Sequence, residues 1–303
     1  MMPQPPERPI STSQPILVTK LGAPPIPPGL VIRRRLIERL DAGLAGKLTL
    51  VTAPPGFGKT TLLSDWARGR ARPVAWLSLD PGDNDPARFW SYVIHALSRI
   101  YPSIGDHLLD LIGPSLVPSR DALLVQLINA LAAAPTETIL VLDDYQVIES
   151  APIHDALGSI IEHLPPTAHL VIVSRADPPF PLGRLRARGQ PTELRDADLR
   201  FTPQEAALFL REAMGLTLSP DDITALENRT EGWIAGLQLA ALSLRGHDRP
   251  SEFVRAFAGN HRYVFDYLLE EVLNRQPPET ESFLLETSIL DRLSGSLCNA
   301  VTQ

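Results

Sequence analysis

Cysteine is almost missing from this chain: Cys298 is the only one in 303 residues. An internal disulfide is therefore excluded, and the composition accords with a reducing cytoplasm. No apolar run reaches the ~20 residues that a bilayer-spanning helix needs. The opening Met1-Met2-Pro3-Gln4-Pro5 lacks the apolar stretch of a secretion signal. An excess of positive charge is missing too. The 28 Lys and Arg against 35 Asp and Glu leave a formal charge of -7, the reverse of a surface built for nucleic acid. The seven histidines show no metal-ligand spacing with one another or with the cysteine, so no zinc site is expected. No Ser–His–Asp arrangement can be placed. These absences predict a cytoplasmic protein with no membrane segment and no direct contact with DNA. What remains is 44% hydrophobic and 21% charged, an ordinary core-forming composition. The length suits two or three small domains.

Proline is plentiful at the start, with nine in the first 28 residues. It fixes φ and removes a donor, so residues 1–28 are expected to be extended and largely without regular structure. Leu36, Ile37, Leu40 and Leu44 then recur at helical spacing. From there apolar runs alternate with amphipathic segments. Strands are predicted at 48–52, 74–79, 138–142 and 169–173, with a short fifth at 191–194. Their apolar character on both faces suits a parallel sheet covered by helices. Asp85-Pro86 starts one helix, with Phe89, Val93, Ala96, Leu97 and Ile100 on one face. Ser119 starts another, with Leu123, Leu124, Leu127, Ile128 and Leu131 inward. This is the pattern of a doubly wound α/β domain. After Leu199 the strands stop. Thr202-Pro203-Gln204-Glu205 is a capping box, and Ser219-Pro220-Asp221-Asp222 repeats the design. A mostly apolar helix over 233–242 closes near Gly246. Beyond it, Phe265, Leu268, Leu269, Val272 and Leu273, then Phe283, Leu284, Ile289 and Leu293, again read as helical. The expected organisation is an extended segment at 1–28, an α/β domain at 29–199, a small helical domain at 200–246 and a further, mainly helical part at 247–303. The tryptophans Trp66, Trp76, Trp90 and Trp233 are expected to pack in cores.

The chemistry lies in Ala53-Pro54-Pro55-Gly56-Phe57-Gly58-Lys59-Thr60, between a predicted strand and a predicted helix. Phosphate oxygens need several N–H donors converging from one side. Gly56 and Gly58 let the backbone curl, and the helix N-terminus adds a positive dipole end. Pro55 through Thr61 are the expected nucleotide contacts: Pro55, Gly56, Phe57, Gly58, Lys59, Thr60 and Thr61. Lys59 is placed on the β- and γ-phosphates, and the Thr60 hydroxyl on Mg²⁺. The strand 138–142 delivers Asp143-Asp144. Asp143 is expected to hold Mg²⁺, and Asp144 to orient or deprotonate the attacking water. The strand 169–173 delivers Ser174-Arg175 to the same sheet edge, where the guanidinium can neutralise charge on the γ-phosphate. The expected ligands are ATP or ADP with Mg²⁺.

These tracts carry a resemblance. Lys20-Leu21 through Pro27, Val31 to Leu40, the loop Thr52 to Thr61, and Leu79-Asp80 with Asp83-Asn84-Asp85-Pro86 and Arg88-Phe89-Trp90 all contribute. So do Thr230-Glu231-Gly232-Trp233, Ala235 to Ala241, and Phe283 to Leu290. Together they resemble the large ATP-dependent LuxR-type transcriptional regulators, typified by the maltose-operon activator. That family belongs to the signal-transduction ATPases with numerous domains. The resemblance implies an AAA+-like P-loop fold, a helical lid, and a winged helix. It also implies a switch with slow hydrolysis, closed with ADP and self-associating with ATP. By the same resemblance Val31 and Arg33 line the adenine, and Gly232 and Trp233 close over the nucleotide. The family continues into a sensor and a DNA-binding region, which are not in this sequence, so the chain is expected to be the motor portion of a regulator. A conventional P-loop ATPase or kinase with continuous turnover, or an inactive truncated product exposing Leu293, Leu297 and Val301, are the alternatives.

Overall fold

The structure is a computed structural model describing residues 15–70, 72–112, 116–244, 250–256, 262–290 and 292–302. Most of the proline-rich start lies outside the described residues. Where it is described, Val18–Leu21 forms a 3-10 turn instead of extended chain. The chain divides into two compact units that interleave along the sequence. One takes the residues up to Ile26, Arg34–Thr52 and Lys59–Arg195; the other takes Pro27–Arg33, Ala53–Gly58 and Asp196–Gln303.

The first unit is built on five strands: β1 (Leu48–Thr52), β2 (Val74–Ser78), β3 (Thr138–Asp143), β4 (Ala168–Ser174) and β5 (Pro191–Arg195). All four pairings are parallel, and the order is β2-β3-β4-β1-β5. The central strands β1 and β4 are buried along their whole length and mostly apolar, because both faces are covered. Pro191 opens the edge strand β5, where a missing N–H costs no ladder bond. The helices are α1 (Arg34–Gly43), α2 (Lys59–Arg68), α3 (Pro86–Ser98), α4 (Pro102–Leu108), α5 (Leu116–Ala132), α6 (Ala151–His163) and α7 (Leu182–Ala187). Asp85 caps α3 by accepting from the Arg88 amide, with Pro86 in its first turn. The helix α5 starts at Leu116, three residues before the expected Ser119. Its residues Leu123, Leu124, Leu127 and Leu131 are buried as expected. Trp66, Trp76 and Trp90 are all fully buried.

Sheet order positions the chemistry. The strand β4 is inserted between β1 and β3, so Thr52 pairs with Ser174 on one side, and Leu142 with Ile172 on the other. The carboxyl ends of three adjacent strands therefore deliver Thr52, Asp143 and Ser174-Arg175 to one edge, the usual ligand edge of an open α/β sheet.

The second unit is helical: α8 (Asp196–Leu199), α9 (Pro203–Leu208), α10 (Pro220–Thr230), α11 (Ile234–Leu244), α12 (Pro250–Ala256), α13 (Arg262–Glu271), α14 (Pro278–Thr287) and α15 (Gly295–Val301). The capping box forms as read from sequence: Thr202 accepts from the Glu205 amide, and the Glu205 carboxylate accepts from the Thr202 amide. Ser219 caps α10 through the Asp222 amide. The helix α9 passes into a π turn at Phe209–Ala213. The core joins Val31 and Phe201 to Leu210, Leu226, Leu237 and Ala241. Gly246 and the side chain of Phe265 lie outside the described residues. Of the residues read as helical, Leu268 and Leu269 fall in α13 and Phe283 and Leu284 in α14, whereas Val272 and Leu273 follow the end of α13 and Ile289 and Leu293 lie between α14 and α15. Leu268, Phe283, Leu284, Ile289, Leu293 and Leu297 are exposed. Among the described residues no helix is long and apolar enough to cross a membrane.

Candidate nucleotide site

In the α/β unit, Lys59 opens α2 directly after the loop and is buried. Burial, then the charge of Arg175, lowers its ammonium from the ordinary lysine range to about 8, while Asp144 and Asp143 pull the other way. Asp143 ends β3 and is 2% exposed. Its Oδ1 accepts from the Thr60 hydroxyl at 3.0 Å and from the Asp144 amide at 3.1 Å. Burial, reinforced by the neighbouring Asp144 charge, lifts Asp143 to about 7, against the Thr60 hydrogen bond and Lys59. An amine and an acid, both pushed toward neutrality, fit a site whose charges are completed by ligands of the opposite sign. Phosphate would restore the Lys59 charge and a cation the Asp143 charge. The Thr60 hydroxyl and the Asp143 carboxylate are two hard oxygens held together, the donor set Mg²⁺ takes alongside phosphate and water. Among the described residues no cluster of three or more His, Cys, Asp or Glu could hold a metal.

Asp144 and Arg175, in the same unit, lie near enough for their charges to act on Lys59. Asp144 follows with left-handed backbone, φ 59°. Its Oδ1 accepts from the Gln146 Nε2 at 2.9 Å. The Gln146 Oε1 accepts from the Arg175 amide at 3.0 Å. Arg175 is half-buried at the end of β4. Thr61 lies in the first turn of α2.

The loop segment Ala53–Gly58 groups with the helical unit. Gly56 and Gly58 have φ of 79° and 69°, a region closed to most L-residues. The loop's carbonyls are held by helical-unit donors. Pro55 O accepts from the Trp233 Nε1 at 3.1 Å, Gly56 O from the Ala235 amide at 3.1 Å, and Gly58 O from the Arg33 Nη2 at 3.1 Å. A trans peptide sets each carbonyl antiparallel to the next N–H. Holding these three carbonyls therefore turns the amides of Gly56, Phe57 and Lys59 away from those donors. A Cβ on Gly56 would lie 2.6 Å from the Ala235 Cβ and 2.8 Å from the Tyr267 hydroxyl.

Trp233 packs against the helical core as expected, half-buried and with its ring centroid 5.5 Å from that of Tyr267, and in addition its indole N–H is used on the loop. Arg33 is 4% exposed; its Nη1 donates to Leu199 O at 3.1 Å, and its guanidinium lies 5.4 Å from the Phe201 ring. Val31 is buried in the helical core. Sequence reading missed Gln146 and the loop-holding roles of Arg33 and Trp233. A polar side chain in a short loop carries no periodic signal, and partners 25 and 178 residues apart leave none either.

A five-stranded parallel sheet with a glycine loop after β1 and an acid ending β3 defines the P-loop NTPase fold. Solved structures share it. A signal-transduction ATPase with numerous domains and a tetratricopeptide repeat sensor from Pyrococcus horikoshii aligns with TM-score 0.53 and 18% identity, covering 92% of this chain and 37% of that one. A Walker-type ATPase of Pyrococcus abyssi aligns with TM-score 0.53 and 17% identity, covering 86% and 80%.

Over most of its length the chain is similar to MalT regulators. Residues 269–303 match the MalT winged helix domain. The chain is 36% identical over 292 residues to the HTH-type transcriptional regulator MalT of Klebsiella pneumoniae, covering 95% of this chain and 32% of that protein. It is 34% identical over 282 residues to the serine/threonine-protein kinase PknK of Mycobacterium tuberculosis, covering 92% and 25%. The chain spans about a third of the length of the MalT regulators it matches.

Proposed function

We propose that this chain is the nucleotide-controlled motor of a signalling switch, binding ATP with Mg²⁺ and hydrolysing it slowly to reset. The observation that carries the reading is the 3.0 Å bond between Thr60 and Asp143 beside a buried Lys59. In this scheme the amides of the glycine loop and Lys59 take the phosphates. Thr60 and Asp143 hold the metal, which supplies charge neutralisation on the phosphates. Asp144 orients water, and Arg175 offsets charge at the γ-phosphate. Val31 and Arg33 flank the base, with Arg33 also fixing Gly58. The relatives support regulation over metabolic turnover. One is named for transcriptional control and the other for protein phosphorylation. A segment common to both fits a control module better than either output. In this reading the ATP form self-associates in a cytoplasmic setting, and this chain itself makes no contact with DNA.

The test is binding. Purified protein is denatured and any released nucleotide identified by chromatography, and ATP uptake with Mg²⁺ is followed by calorimetry. Wild type is expected to bind ATP and ADP, and Lys59→Ala to lose at least about tenfold in ATP affinity, because a charge-assisted contact is gone. Undiminished uptake by Lys59→Ala, or none by wild type, refutes the site. Rapid steady-state turnover by wild type would instead favour a conventional ATPase.

A further inference from the structure

Four hydrogen bonds of the α/β unit join end to end. The Thr60 hydroxyl and the Asp144 amide both donate to Asp143 Oδ1, at 3.0 and 3.1 Å. Gln146 Nε2 donates to Asp144 Oδ1 at 2.9 Å, and the Arg175 amide donates to Gln146 Oε1 at 3.0 Å. The line begins on α2, crosses the loop after β3 and ends on the residue that follows β4. Gln146 is the one side chain in it that is neutral and uses opposite polarities at its two ends. Its NH₂ must face the carboxylate and its oxygen the backbone N–H, so the amide has a single workable orientation. Asp144, its partner, has φ 59°, a conformation that a non-glycine residue keeps only where its surroundings over-determine it.

We propose that Gln146 is a positioning residue for ATP hydrolysis, tying the Asp144 carboxylate to the end of β4 so that the water-orienting acid and Arg175 hold a fixed separation. The proposal rests on the ATPase reading of this site. A neutral amide suits the task. Occupying Asp144 Oδ1 by donation leaves the second oxygen to accept from the attacking water. A cationic residue there would hold the carboxylate more tightly and lower its basicity, and an acidic one would repel it. The strand β4 lies between the glycine-loop strand and the acid strand. A displacement of its carboxyl end is thereby transmitted to Asp144 through one side chain.

The test uses the 303-residue chain with Mg²⁺ and ATP. Single-turnover hydrolysis and calorimetric ATP binding are measured for wild type, Gln146→Leu, which removes both bonds, and Gln146→Glu, which keeps the acceptor and loses the donor. Retention of ADP with fluoroaluminate, which mimics the transferring phosphoryl group without turnover, is measured alongside. Both variants are expected to hydrolyse about tenfold or more slowly while ATP affinity stays within about twofold, since the lost bond to a charged group acts on the transition state and not on ground-state binding. Fluoroaluminate retention should fall in parallel. In an Asp144→Ala background, Gln146→Leu should change retention by less than about twofold, because no carboxylate remains to be positioned. Unchanged rates and retention in the single variants overturn the proposal. So does a full further loss in the Asp144→Ala background, which would mark a merely structural role. Gln146→Asn, one methylene too short to reach both partners, is read in their place if the other two fail to fold. No ATP uptake by wild type refutes the proposed function itself. ATP uptake that depends on Lys59, with rates indifferent to Gln146, refutes only the positioning role.

Discussion

Gly232 shows how much one residue can decide. It follows Glu231, and both have positive φ, 49° at Glu231 and 70° at Gly232. This left-handed pair ends α10 and turns the chain into α11. The Gly232 carbonyl accepts from the Phe201 amide at 2.8 Å. A Cβ on Gly232 would stand 2.5 Å from the Phe201 carbonyl oxygen, which is backbone and cannot rotate away. Gly232→Ala is therefore expected to destabilise the helical unit by about 2 kcal/mol or more, adding clash to φ strain. Thermal melting would register it as a lower midpoint. The same turn aims Trp233 at Pro55 O and the Ala235 amide at Gly56 O, so the loop carbonyls should lose their donors together. An alanine variant that melts like wild type would show that the turn tolerates a side chain.

At the level of elements, the short turn Val18–Leu21 is fastened to the sheet edge by charge. Lys20, 6% exposed, pairs with the fully buried Asp83 and with Asp80 at 3.0 Å, and its ammonium lies 4.3 Å from the Tyr92 ring centroid. Arg88 closes the group through Asp83 at 3.0 Å. Removing one member of a buried ion group leaves a desolvated charge behind. Lys20→Met should cost about 3 kcal/mol, visible as a lower denaturant midpoint, while Asp80→Ala, at a partly exposed site, should cost under about 1 kcal/mol. Equal losses would put the stabilisation in the whole turn and not in the buried pair. This fastening was only half legible in the sequence. The turn Asp80 to Asp85 could be read as a tract, but nothing in the local pattern tied Lys20 to Asp83, 63 residues away. The strands were legible because strands covered on both faces must be apolar throughout. The loop and Asp143 were legible because backbone curl, ammonium and carboxylate leave letters at fixed spacing. The caps at Asp85, Thr202 and Ser219 were legible because capping is local chemistry. The start of α5 was not, since Leu116 and Val117 carry no cap signal. Nor was the interleaving that puts Ala53–Gly58 with the helical unit, because long-range packing decides it.

For the molecule as a whole, pH provides a probe of the sheet that leaves the nucleotide chemistry aside. His169 on β4 is 5% exposed. Its Nδ1 hydrogen-bonds Gly46 O at 2.8 Å, and its Nε2 meets the Thr49 hydroxyl at 2.9 Å. A neutral ring satisfies both, donating to the carbonyl and accepting from the hydroxyl. Burial holds this histidine below its ordinary range, against the pull of the Gly46 carbonyl. As pH falls, the unfolded chain therefore takes the proton first, near 6.5. The stabilisation from a neutral His169 is complete above that pH and is lost as pH descends toward the folded value. His154, its ring nitrogen 2.7 Å from the Tyr145 hydroxyl, is likewise lowered by burial and acts in the same direction. Other titrating groups, Asp143 among them, complicate the absolute curve, so the comparison is made with His169→Gln. That side chain can donate to Gly46 and accept from Thr49 without titrating. The two proteins should differ by a constant amount above about pH 7, and below about 6.5 wild type should lose ground by up to about 1.4 kcal/mol per pH unit. Chemical denaturation at half-unit steps from pH 5 to 8 measures the difference directly. A gap that stays flat across that range would mean His169 is as easily protonated folded as unfolded, and the sheet's buried edge would then have to admit water.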